Sequence, residues 1–405
     1  MIHRNARATR LPYPPQLRAL LDIRRAQECR RWLSAWSMLN PGPTPVWDLP
    51  AAARRLGVGA IHVKDESARS PLASFKALGA PAALLRLVLG RIPGAAPEEV
   101  LRGTYAAALK DYVVISATDG NHGRALAAAA RSADIRCVIV LHAQVSAERE
   151  SAIAAYGAEI VRIAGNYDES VREAARLAAA HGWQVVSDTS YEGYEDIPCD
   201  VMQGYGVMID ELLDNSPAGA PCPWTHVIVQ GGVGGLAAGV FSYLWERYGE
   251  RRPVFVVVEP EQADCLLQSA MAGAPRAASG TVDSVMAGLA CGEVSPLAWR
   301  FLETSVDVFM TVTDAEAVAA VRALAQPHDG DIPILSGESG AAGFAALPAL
   351  GLDPTARVLL LNTEGATAPA LYESLAGLAP ADVLSAQAGW LAARKQTPAT
   401  ERGTA

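Results

Sequence analysis

From residue 112 onward the chain alternates short apolar runs with longer amphipathic stretches. Residues 112–117 (Tyr-Val-Val-Ile-Ser-Ala) form a run of strand length, apolar enough to be buried on both faces. Behind it, 124–132 carries Ala and Leu at helical spacing. The alternation continues with strands predicted at 136–142, 159–163 and 184–187, and helices at 147–156 and 169–181. In the last of these, Ala174, Ala175, Leu177 and Ala178 fall on the apolar side. A helix at 201–213 then leads into a second series. Its strands are 226–230, 254–259, 308–312 and 357–361, and its helices 236–248, 265–272, 315–326 and 339–347. Before both series, residues 1–45 read as a helical lead-in ending at Pro41-Gly-Pro-Thr-Pro45, with a strand at 60–64. Strands alternating with helices predict mostly parallel, helix-covered sheets. Two series predict two α/β lobes with a ligand cleft between them.

Composition narrows the class. The 405 residues carry 34 Lys+Arg against 43 Asp+Glu, so the chain is acidic and without basic blocks, a poor match for nucleic acid. Half the residues are hydrophobic, which excludes disorder, yet no run approaches the ~20 residues that span a bilayer. The basic start (Arg4, Arg7, Arg10) lacks a following apolar stretch, so no secretory signal is expected and a cytoplasmic location is. Cys29, Cys137, Cys199, Cys222, Cys265 and Cys291 form no Cys-x-x-Cys pair or metal-ligand cluster. Cys265 and Cys291 flank a Gly/Ser-rich stretch; they are either two free thiols or a disulfide tethering a loop beside the site.

Four constellations carry chemistry. Lys76, in Ser74-Phe-Lys76, sits where a loop enters a helix, and the helix dipole there disfavours an ammonium, as an amine used for Schiff-base chemistry requires. Thr118-Asp-Gly-Asn-His-Gly123 lies between a strand and a helix, offering backbone N–H groups, the Asn121 amide and the Asp119 carboxylate. Gln230-Gly-Gly-Val-Gly-Gly235 lies at another strand–helix junction and permits close approach of a phosphate. It also loosely fits a dinucleotide fingerprint, with Glu259 as the acid further on. Asp188 ends a predicted strand, placed for acid/base work. Singly, each is also what an exposed lysine, an ordinary turn or a helix cap looks like.

Together and in this order they resemble fold-type-II pyridoxal-phosphate enzymes. Val63-Lys-Asp-Glu-Ser67, Ala73-Ser-Phe-Lys-Ala-Leu-Gly79, Ala117-Thr-Asp-Gly-Asn-His-Gly-Arg124 and Asp188-Thr-Ser-Tyr-Glu-Gly-Tyr194 resemble the diaminopropionate ammonia-lyases in particular. Ser284-Val-Met-Ala-Gly-Leu-Ala-Cys-Gly-Glu293, Ser336-Gly-Glu-Ser-Gly340 and Leu361-Asn-Thr-Glu-Gly365 extend the likeness over residues 40–370. The resemblance implies pyridoxal 5′-phosphate as cofactor and Lys76 as the Schiff-base lysine. It implies Asn121 at the pyridoxal 3′-oxygen, Gly231, Gly232, Val233, Gly234 and Gly235 as the phosphate cradle, and Thr363 near the ring nitrogen. Asp119 and Asp188 match the two carboxylates that remove the α-proton from opposite enantiomers. The expected reaction is α,β-elimination on 2,3-diaminopropionate to pyruvate and ammonia, by a homodimer. The expected architecture is a large cofactor-binding domain (1–85 and 205–395), a small domain (86–204) and a flexible tail (396–405).

Three departures leave alternatives open. The family's Thr-Glu-Gly-Asp-Thr-Asp reads Thr363-Glu-Gly-Ala-Thr-Ala368 here, Arg-Phe-Gly-Leu reads Arg69-Ser-Pro-Leu72, and Asp-Thr-Ala-Trp reads Asp188-Thr-Ser-Tyr191. β-Elimination or β-replacement on serine, threonine, hydroxyaspartate or a modified diaminopropionate therefore stands beside the first reading, as does a cofactor-binding protein without turnover.

Overall fold

The computed structural model describes residues 1–118, 120–165, 167–217 and 219–396. Its strands are β1 (Ile2–Arg4), β2 (Val46–Asp48), β3 (Ala60–Asp65), β4 (Val113–Ala117), β5 (Arg136–Leu141), β6 (Glu159–Arg162), β7 (Gln184–Val185), β8 (His226–Gln230), β9 (Val254–Pro260), β10 (Val308–Val312) and β11 (Arg357–Asn362). They form a seven-stranded sheet, β1-β10-β9-β8-β11-β3-β2, and a four-stranded sheet, β6-β5-β4-β7. Every pairing is parallel except those of β1 and β2 at the two edges of the larger sheet. The helices that build the site are α1 (Lys76–Arg91), α2 (Asn121–Ser132), α3 (Ala147–Ala154), α4 (Asp196–Tyr205), α5 (Val207–Leu212), α6 (Gly235–Tyr248), α7 (Cys265–Ala272) and α8 (Pro369–Ala376). The predicted two-lobed α/β architecture is what is observed. The expected tail lies outside the described residues, apart from Gln396 at the end of the last helix.

Period-two alternation divides the larger sheet between two cores. Leu359 and Leu361 of β11 face the core that also holds Val227, Val229, Phe255 and Val257. Val358 and Leu360 face the opposite core with Ile61, Ile228, Val256 and Met310. The smaller sheet behaves likewise. Val113, Ile115, Val138 and Val140 form a core of their own, while Val114 and Ile139 join the core of Leu359 and Leu361. One continuous core therefore runs between the two sheets and holds the lobes against each other.

The 1–45 expectation needs correction. Helices occur at Pro15–Arg18 and Ile23–Leu33, but the chain begins with an edge strand and β2 follows at Val46. Each strand has three residues, too short to show a period; β1 pairs with β10 from the far end of the chain and β2 with the next strand, β3. The predicted helix at 201–213 is two helices, α4 and α5, meeting at Gly206. A Cβ there would come within 2.8 Å of the Ala26 methyl carbon.

The loop that delivers Lys76 is anchored by a buried ionic network. Lys64 Nζ donates to Glu211 Oε2 of α5 at 2.8 Å, Arg69 Nη1 to Glu211 Oε1 at 2.5 Å, and Arg69 Nε to Glu66 Oε2 at 2.9 Å. Thr44 Oγ1 closes it on Glu66 Oε1 at 2.7 Å. Every charge is paired, which is what allows the group to be buried.

Candidate active site

A cavity opens between the lobes at the C-terminal ends of β4, β8 and β11, the place where parallel sheets present ligands. Lys76, Asn121, Asp188, Gly231, Gly232, Val233, Gly235 and Thr363 all line it. Gly234 does not; its φ of +98° makes the turn into α6, and a Cβ there would meet Leu302 Cδ1 at 2.8 Å. Asp119 lies outside the described residues.

Lys76 is the first residue of α1, as predicted, but its charge state is not. Burial and the helix dipole favour the neutral amine. Nζ, however, contacts Asp188 Oδ2, and that carboxylate outweighs the burial and holds the amine above its ordinary value. The Phe75 and Tyr205 rings, with centroids 5.1 and 5.8 Å from Nζ, add cation–π attraction. Reciprocally, burial raises the Asp188 pKa, but the Lys76 ammonium in contact with it outweighs burial and leaves the carboxyl well below its usual range. Without cofactor, Lys76 and Asp188 are thus an ion pair.

The glycine loop is an anion cradle. Gly231 N–H donates to Val258 O at 2.8 Å and Gly234 N–H to Gly231 O at 3.2 Å. The N–H groups of Gly232, Val233 and Gly235 make no hydrogen bond within the described residues and line the cavity at the N-terminus of α6. Of the five predicted cradle residues, these three have free donors. A phosphate fits such a cradle, where N–H groups and helix dipole both favour an anion. Gly231 is required for another reason: a Cβ there would sit 2.7 Å from Glu259 Cγ. The Glu259 carboxylate accepts from the backbone N–H of Leu266 and Leu267 at 2.8 Å each, so it caps α7 and is not a ribose ligand. That removes the dinucleotide reading.

Asn121 opens α2, and its Nδ2 donates to Glu364 Oε2 at 2.5 Å. The contact fixes the amide orientation and leaves one Nδ2 hydrogen for a ligand. Glu364 is the residue after Thr363 and was legible only as part of its motif. His122, Tyr205, Arg149 and Ser339 also line the cavity. Nothing local pointed to Arg149, which reaches Glu338 Oε1 at 3.3 Å from the other lobe. Burial pushes the Tyr205 hydroxyl up to about 12. Cys265 and Cys291 are not joined by a disulfide: Cys265 is buried against the glycine loop with Sγ 3.6 Å from Gly232 O, and Cys291 lines the cavity.

The family departures fall elsewhere. Residues 69–72, Ser190, Tyr191, Ala366 and Ala368 do not line the cavity. Ser190 instead pairs with Ser295 (Oγ–Oγ 2.8 Å), and Ala368 is the N-cap of α8.

An amine beside a carboxylate at a helix start, an anion cradle and an oriented amide on a two-lobed parallel α/β frame define a fold-type-II pyridoxal-phosphate enzyme. The family profile for pyridoxal-phosphate dependent enzymes matches residues 38–364. Diaminopropionate ammonia-lyase of Salmonella typhimurium (strain LT2) is 37% identical over 361 residues, which are 83% of this chain and 88% of that protein. The enzyme of the same name from Escherichia coli (strain K12) is 37% identical over 338 residues, 80% and 85% of the two chains. The crystal structure of the Escherichia coli enzyme in complex with an aminoacrylate–PLP azomethine reaction intermediate superposes with a TM-score of 0.83 at 34% identity, covering 93% of this chain and 96% of that one. Its D-serine complex gives 0.82, at the same identity and coverage. The chain belongs to the pyridoxal-phosphate dependent enzymes and, within them, to the diaminopropionate ammonia-lyase family.

Proposed function

We propose that this protein is an ammonia-lyase that converts 2,3-diaminopropionate to pyruvate and ammonia. The observation that carries the reading is the cavity itself: its described lining keeps the residues of the family motifs, while the departures lie outside it. Bound pyridoxal phosphate supplies the electron sink that lets an amino-acid Cα–H bond break. The N–H groups of Gly232, Val233 and Gly235 would hold its phosphate, Asn121, steadied by Glu364, would hold its phenolic oxygen, and Thr363 would serve its ring nitrogen. Lys76 provides the amine that anchors it. Asp188 accepts the Cα proton from one enantiomer and Asp119 from the other. The β-ammonium then leaves as ammonia, and the enamine product hydrolyses to pyruvate with a second ammonia. Walls from both lobes limit water at the reacting carbon.

The test is to measure pyruvate from D-diaminopropionate, L-diaminopropionate and serine with the cofactor-loaded protein and with Lys76→Ala. Rapid pyruvate release from diaminopropionate, lost in Lys76→Ala, is expected. A loaded protein that releases none from either enantiomer overturns the proposal, and release from serine alone moves it to the alternative β-elimination. By the same resemblance we propose a cytoplasmic homodimer, with residues 86–204 as its small domain. Light scattering of the purified protein checks the assembly. No helix among the described residues is long and apolar enough to cross a membrane, and none of their side chains cluster as a metal site.

A further inference from the structure

His122, the second residue of α2, is 4% exposed. Its Nε2 lies 2.9 Å from the Val186 carbonyl oxygen. A carbonyl only accepts, so Nε2 carries the hydrogen and Nδ1 is a bare lone pair. That Nδ1 is sealed from solvent and has no hydrogen-bond partner. It faces Asp188, whose Oδ2 is 3.8 Å away and is the same oxygen that contacts Lys76. A buried acceptor opposite a carboxylate is unsatisfied in the resting state, and a proton between them would satisfy both.

We propose that His122 is a positioning residue for the catalytic proton: its Nδ1 takes from Asp188 the proton that Asp188 removes from substrate and holds it until the product leaves. The inference rests on Asp188 acting as the base for one enantiomer. The proton balance is closed. The Cα–H bond breaks with its electrons left on the substrate, and an O–H bond forms on Asp188. That O–H then breaks as an N–H forms on Nδ1, giving a carboxylate and an imidazolium; return of the proton to solvent resets the pair. The imidazolium would have both N–H groups placed, Nε2 on Val186 O and Nδ1 on Asp188. The 3.8 Å gap must close by about 1 Å to become a hydrogen bond.

The charges acting on the ring are Asp188, from the loop after β7, and Lys76, from α1. Burial holds the imidazole below its ordinary pKa, Asp188 opposes that, and Lys76 reinforces it. The ring therefore stays neutral while Lys76 is an ammonium, and becomes a better acceptor once that charge is gone.

The experiment compares His122→Gln and Asp188→Asn holoenzymes on each enantiomer of diaminopropionate across pH. Gln keeps a side-chain N–H for Val186 O but has no nitrogen that accepts a proton. His122→Gln should lower kcat by about 10–100-fold for the enantiomer that Asp188→Asn also disables, and shift the acidic limb of that profile. Turnover of the other enantiomer should fall far less, and the cofactor absorbance should persist. Equal losses on both enantiomers, or no loss where Asp188→Asn is crippled, overturn the proposal. Full activity of Asp188→Asn on both overturns instead the assignment of Asp188 as a base. A second measurement needs no variant: ¹⁵N-histidine NMR of the full chain should show a protonated Nε2 and bare Nδ1, and the opposite tautomer overturns the proposal.

Discussion

Lys76 shows how far a single residue can be read from sequence. Its place at the start of a helix was legible, because Ser-Phe-Lys breaks an apolar pattern that resumes at Ala77. Its charge was not, because the carboxylate that sets it is 112 residues away. Burial and the helix dipole both argue for a neutral amine, but a carboxylate in direct contact is the stronger effect. Without that partner burial is the largest influence left on the amine, so in Asp188→Asn the Lys76 pKa should fall. Cofactor uptake by the cofactor-free variant, followed by absorbance, should reach its full rate at lower pH than in the wild type. An unchanged pH profile would mean that Asp188 does not set the charge.

At the scale of elements, the strands of the larger sheet were the most legible parts. Residues 226–230 and 308–312 are strands at their predicted bounds, since buried parallel strands are continuous apolar runs. The edge strands β1 and β2 were not, because three residues are too few to show a period. The altered segment Thr363-Glu-Gly-Ala-Thr-Ala368 also belongs to this scale. Ala368 is the N-cap of α8 and offers no side-chain acceptor, while Glu148 from α3 accepts from Ala370 N–H at 3.3 Å. An Asp at this position would be placed to cap α8. Ala368→Asp should raise stability in urea unfolding by about 1 kcal/mol and leave kcat/KM for diaminopropionate unchanged. A large change in kcat/KM would return this position to the substrate pocket.

At the scale of the molecule, the site is assembled from contacts that cross between the lobes: Lys76 with Asp188, Asn121 with Glu364, and Arg149 with Glu338. None has a local signature, so sequence could name the motifs but not their pairing. The third contact makes the cleft pH-sensitive. Glu338 is pushed up to about 7, first by burial and then by the neighbouring Glu364 carboxylate, with Arg149 opposing. A carboxyl whose folded pKa exceeds its unfolded value holds its proton more tightly when folded. Its contribution to stability is complete below about pH 4.5, shrinks as pH rises, and is lost above about 7. Glu338→Gln fixes the neutral form and should abolish this decline. Against that stands the loss of the ion pair with Arg149 at 3.3 Å. Burial and the Glu364 carboxylate together outweigh Arg149, since the net shift of Glu338 is upward, so the cost of ionising Glu338 should dominate at pH 8. Urea unfolding of the cofactor-free proteins should give nearly equal stabilities at pH 5 and a more stable variant at pH 8. A variant less stable than the wild type at pH 8 would show that the Arg149 contact, rather than the burial of Glu338, governs how the lobes hold together.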